Sequence, residues 1–166
     1  MGLFSRLFGA AESKKELEGI RLDTGAQHWE LSSPEDFPTL FKALGSILPS
    51  NAYLYFEDGT PSKELREFLD QAAVPEPVHL ALGTIWPKPR YFHVPATPKN
   101  LERLADLSEH CAGPELAIHF HVHADKQVLI EWHDAFSGPM LVSSAFSEEK
   151  IRKLAEALST DFKMVR

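Results

Sequence analysis

Residues 116 to 134 read Leu-Ala-Ile-His-Phe-His-Val-His-Ala-Asp-Lys-Gln-Val-Leu-Ile-Glu-Trp-His-Asp. Two runs of alternating residues flank a short polar break, the pattern of a β-hairpin. Side chains on a strand point alternately to its two faces. His119, His121 and His123 therefore share one face, and Ile118, Phe120 and Val122 the other. A one-residue slip in pairing would exchange these faces, so the hairpin restricts the folds open to the chain. A three-residue loop, Asp125 to Gln127, pairs Ala124 with Val128. It gathers Phe120, Val122, Val128, Ile130 and Trp132 on one apolar face. His119 then falls opposite His133, and His121 opposite Glu131. A loop of two or four residues would set the histidines beside Val128, Ile130 and Trp132. Separation of apolar from polar side chains selects the three-residue loop.

Opposed residues on paired strands have Cβ atoms roughly 4.5–5.5 Å apart. Zinc accepts imidazole nitrogen and carboxylate oxygen at about 2.0–2.2 Å. His119, His121, Glu131 and His133 are therefore candidate metal ligands, with zinc as the candidate ion. The simpler reading is the polar face of an amphipathic strand with no cofactor. It is favoured because the chain lacks His-Glu-x-x-His and paired Cys-x-x-Cys motifs.

A chain of 166 residues suits one domain and buries enough surface to need no staple. The lone Cys111 rules out an intramolecular disulfide and fits a reducing, cytoplasmic compartment. The net charge of −7 disfavours nucleic acid, whose binding rests on phosphate neutralisation. Full protonation of the 8 histidines would carry that charge to +1, so association is expected to respond to mild acid. No apolar run reaches the roughly 20 residues of a membrane span, which argues against integral insertion.

Along the chain, Leu3, Phe4, Leu7 and Phe8 have helical spacing and form an apolar face. Residues 1 to 18 read as an amphipathic appendage that docks on protein or on a membrane surface; residues 19 to 166 read as a single domain. His28, Trp29 and Leu31 suit a short strand or an anchored loop. Four helix starts are marked by a capping residue, three of them followed by proline: Ser33-Pro34, Thr60-Pro61, Thr97-Pro98 and Ser147. The stripes behind them are Phe37, Leu40, Phe41, Leu44 and Leu48; Leu65, Phe68 and Leu69; Leu101, Leu104 and Ala105; and Ile151, Leu154, Ala155 and Leu158. Gly113-Pro114 is expected to end the third helix. Strands are expected at 51–57, 78–86, 90–94 and 140–143, and residues 163–166 read as a tail. The Pro87-Lys88-Pro89 break carries Trp86, Lys88, Arg90 and Tyr91. These form the candidate partner contact, because aromatic and arginine side chains dominate interface hot spots.

Crossovers mixed with hairpins predict an α+β fold. The expected form is a mixed, largely antiparallel sheet of five or six strands with helices mainly on one face. The histidine face is then left open to solvent, to a protein partner or to a second copy of the chain. No phosphate-binding glycine loop and no nucleophile elbow is present. The expected function is that of a non-enzymatic interaction or regulatory protein. A metal-binding protein or metal-dependent hydrolase using the hairpin is the alternative, and peripheral membrane association through the N-terminal segment is a third.

Overall fold

The computed structural model describes residues 19–81 and 89–166. Seven strands make one open sheet: β1 His28–Leu31, β2 Ala52–Glu57, β3 Tyr91–Pro95, β4 His119–Ala124, β5 Gln127–Trp132, β6 Met140–Ser143 and β7 Phe162–Val165. Their order is β3-β2-β4-β5-β6-β1-β7, and every neighbouring pair is antiparallel. The α+β class matches the expectation; the sheet is larger than five or six strands. The uncounted strand is β7, which pairs residue for residue with β1. Phe162 sets its ring 5.9 Å from that of Trp29, an anchor that a four-residue run at the chain end does not advertise.

Five helices lie among the described residues: α1 Phe37–Ile47, α2 Lys63–Ala72, α3 Pro98–Leu107, the single turn α4 Gly113–Leu116, and α5 Glu148–Leu158. The buried stripe of α1 meets those of α3 and α5 over one sheet face, where Leu54, Phe56, Val94, Phe120, Val122, Ile130, Trp132 and Val142 complete the core. Thr97 and Ser147 cap α3 and α5 as expected, each accepting a backbone N–H. Two starts move downstream. Asp36, not Ser33, caps α1, because the Ser33 hydroxyl donates to the Phe136 carbonyl. Ser62, not Thr60, caps α2, because Thr60 turns its N–H and hydroxyl to the Pro114 carbonyl. Gly113-Pro114 opens α4 and does not merely end α3, since Glu115 accepts the Ala112 N–H and closes a turn. Of the strand expected over 78–86, the described part forms one parallel bridge, Leu80 with Ile20; the rest lies outside the described residues.

The hairpin keeps its predicted faces by a different device. Ala124 pairs with Gln127 across a two-residue loop, Asp125-Lys126, and a β-bulge at Leu129 shifts the register between Val122 and His123. Asp125 supplies the left-handed residue at φ 52°, which aspartate tolerates better than most. His121 stands opposite Glu131 as predicted, whereas Val128 joins His123 on the histidine side. The extra residue puts right what the short loop would have inverted.

Candidate functional site

The second sheet face carries a layer of ionisable rings. Register places Tyr55 beside His93 on one side and His121 on the other, and sets Glu57 beside His119 and Tyr91. The expectation that this face is open is overturned. His93, His119, His121 and His123 are 0–5 % exposed, as are Glu57 and Glu131. Part of the cover is a small apolar cluster in which Leu22 and Leu80, with Ile20, pack on Tyr55, Val128 and Leu141. Ile20 and Ala81 hold it together, the Ile20 N–H donating to the His79 carbonyl and the Ala81 N–H to the Ile20 carbonyl. The Leu22 N–H donates to Glu131 Oε1, which ties this strap to the sheet. At Gly19 an added Cβ would overlap the Leu80 carbonyl carbon and the Ala81 nitrogen, so the crossing requires glycine.

Within the layer the imidazoles bond chiefly to one another. His93 Nδ1 meets His123 Nε2 at 3.0 Å. One proton serves that contact, and the outer nitrogens, His93 Nε2 and His123 Nδ1, have no hydrogen-bond partner. His133 Nδ1 meets His119 Nδ1 at 3.1 Å, and His133 Nε2 meets Glu131 Oε2 at 3.3 Å. His119 Nδ1 also receives the Asp134 N–H at 3.3 Å, so that nitrogen is an acceptor and its proton sits on Nε2. Nε2 lies 3.9 Å from Glu57. His133, facing an acceptor at each nitrogen, suits the doubly protonated ring. His121 sits between the Tyr55 and His133 rings at 5.2 and 5.1 Å, with neither nitrogen bonded.

The electrostatics follow. Burial pushes His93 and His123 down from 6.5 to about 4; the neighbouring His123 adds to the shift at His93. Burial also lowers His119, and lowers His121 well below its ordinary value. The Glu131 carboxylate raises His133 through their hydrogen bond. Burial raises the Tyr55 hydroxyl, with the Glu57 charge beside it acting in the same direction. His133 is the solvent-facing member, its side chain 39 % exposed.

Behind His133 the backbone is held in an uncommon shape. Asp134, Ala135 and Phe136 have φ of 52°, 52° and 70°, a left-handed turn of three non-glycine residues that costs roughly 1–2 kcal/mol per residue. Packing over-determines it. Phe136 rests against Trp132 at 4.4 Å and Phe37 at 5.0 Å, and the Ala135 N–H donates to the Ile118 carbonyl. The turn delivers the Asp134 N–H to His119.

The four candidate metal ligands thus come together. However, His133 spends one nitrogen on His119 and the other on Glu131. Among the described residues no group of three or more His, Cys, Asp or Glu side chains is placed to hold a metal ion. Sequence reasoning put His123 on this face but outside the ligand set, gave Asp134 no role, and missed Glu57, His93 and Tyr55. Alternation in β2 and β3 would have put Glu57, Tyr55 and His93 on one face once the strand order was known. Of the candidate partner contact, Trp86 and Lys88 lie outside the described residues. Arg90 binds Asp70 at 2.6 Å and covers the Phe92 ring, and Tyr91 is 39 % exposed. Leu3, Phe4, Leu7 and Phe8 also lie outside the described residues. No helix among the described residues is long and apolar enough to cross a membrane. Comparison with known protein families, curated proteins and solved structures finds no match.

Proposed function

We propose that this protein is a non-enzymatic regulatory module whose state is set by protons. The observation that supports the reading is the facing of ring on ring. At His93–His123 and at His119–His133 two imidazole nitrogens share one proton across 3.0–3.1 Å. Protonating both members of either pair would aim N–H at N–H. The rings are therefore predominantly neutral near pH 7, and a pair must rearrange once both of its members are charged. A general acid or base needs a nitrogen directed at substrate; here the facing nitrogens of both pairs are directed at one another and four of the five rings are buried, which argues against catalysis. Rearrangement alters the surface that a partner protein meets, and that is the regulatory output.

The test is an imidazole titration of the full chain by heteronuclear NMR from pH 8 to pH 4, with light scattering at each end. The expected result is one His133 resonance charged near neutrality and a coupled step below pH 6.5 in which the remaining rings change together. Five rings titrating independently near their ordinary value would dismiss the reading. Zinc added at pH 7.5 serves as the discriminating arm. Saturable shifts of His119, His121 and His133 at micromolar metal would replace the proton reading with metal binding.

A further inference from the structure

The strap over the imidazole layer is built differently from the helical cover on the other face. Among the described residues it is held by two backbone bonds between its own halves, a short apolar contact set and one bond to the sheet, from the Leu22 N–H to Glu131 Oε1. Neither half belongs to a helix or to the seven-stranded sheet. Segments with few buried contacts occupy the low-stability end of a protein's opening spectrum. Beneath it lie Tyr55, Val128 and Glu131, the sheet neighbours of His93, His121 and His123.

We infer that residues 19–22 and 79–81 form a latch that lifts as a unit when the imidazole layer takes up two or more protons, while the helix-side core stays folded. This rests on the proton reading above and names the element that moves. The requirement for more than one proton comes from the pairing. A first proton on an outer nitrogen, His93 Nε2 or His123 Nδ1, leaves the shared contact intact, since a charged ring donates to a neutral one. A second proton, on the facing nitrogen, breaks that contact. At the other pair His133 already donates to His119, so any further proton on His119 Nδ1 meets both His133 and the Asp134 N–H.

Among the described residues the charges facing the layer are few. Strand β2 supplies Glu57 with Tyr53 and Tyr55, β3 supplies Tyr91, β5 supplies Glu131 and the turn after it Asp134; Glu76 acts on His93 from the loop before β3, and His79 acts on it from the strap itself. The strap residues that enter the layer, Ile20, Leu22 and Leu80, carry no charge. Two buried carboxylates balance the first charges, and further positive charge must reach water. Lifting the strap admits that water and leaves the helix-side core packed. It also frees Glu131 Oε1 from Leu22 for the imidazolium beside it.

The decisive experiment is hydrogen exchange of the full chain between pH 7.5 and 4.5, corrected for the intrinsic rate, following the amides of Ile20, Leu22 and Ala81 beside those of α1 and α5. Two coupled protons raise the open-to-closed ratio about 100-fold per pH unit within the window. The helical amides are expected to keep their protection. Gly19→Ala, which wedges the strap against Leu80, is expected to move opening to higher pH with the slope unchanged. His121→Phe, which removes one buried site, is expected to move opening to lower pH. Strap amides that open only together with α1 and α5, or with no dependence on pH, would overturn the latch. Coupled ring titration with a closed strap refutes the latch alone, whereas independent titration near ordinary values removes the proton reading as well.

Discussion

Acid should weaken this fold before it protonates ordinary carboxylates, and the structure gives the size of the effect. His93 and His123 fall from 6.5 to about 4 through burial. A group held below its unfolded value contributes stability that is complete above about pH 6.5 and lost progressively as pH falls to about 4. A shift of that size is worth roughly 3 kcal/mol for one ring at 1.36 kcal/mol per unit. The two share a single contact, so the pair is worth less than twice that, about 3–5 kcal/mol. His133 has the opposite sign. Its raised value contributes stability below its unfolded value, and that contribution is lost as pH climbs through the folded one. Stability therefore peaks near neutrality. For a domain of this size the acid loss corresponds to roughly 10–15 °C in Tm, against a total of about 5–15 kcal/mol. Thermal and urea denaturation at pH 7.5, 6.5, 5.5 and 4.5 would measure it, with the double variant His93→Gln/His123→Gln alongside. The variant should have a shallower slope between pH 6.5 and 4.5, whatever its stability at pH 7.5, the remainder belonging to His119 and His121, which burial also lowers. Parallel wild-type and variant curves would refute the assignment and move the acid sensitivity to His119, His121 and the carboxylates.

Three other outcomes are open to direct measurement. Ala135→Gly should stabilise the protein by about 1 kcal/mol in urea denaturation, because glycine relieves the left-handed backbone at φ 52°. Gly113→Ala should destabilise it, since the new Cβ would overlap the carbonyl oxygen of Ala135; the same denaturation, with His119 resonances as a local probe, reads both. Asp125→Val should cost about 1 kcal/mol or more by placing a β-branched residue at positive φ and removing the acceptor for Asn51; Asp125→Asn should be close to neutral.

The helices were legible because their caps and stripes are local. Asp36 and Ser62 displaced the expected caps only where the hydroxyls of Ser33 and Thr60 found better partners across the chain, in Phe136 and Pro114. Strand β7 escaped notice because its evidence is non-local, the ladder to β1 and the ring of Trp29. The hairpin shows how a correct conclusion can rest on the wrong device. Patterning required His121 opposite Glu131, and a bulge at Leu129 met that requirement where an odd loop was expected.

The fate of the histidine face was not legible, and the reason is physical. Alternating Ile-His-Phe-His-Val-His reports that two faces differ, and a buried polar face writes the same pattern as a solvated one. What separates them is the cover. Its described part is residues around 20–22 and 79–81, short pieces brought together by a single parallel bridge. Polar groups under such a cover reduce stability where apolar residues of like volume would add to it. Glu57, at 0 % exposure with no hydrogen bond to either oxygen among the described residues, is the sharpest instance. A carboxylate in that position weakens the resting fold and becomes useful only when positive charge arrives nearby. Glu57→Gln should therefore stabilise the protein at pH 7.5 and yet make the strap amides open at higher pH, because the layer loses one of its two buried counter-charges. A change that strengthens the fold and loosens the strap is hard to reconcile with a face that is merely packed.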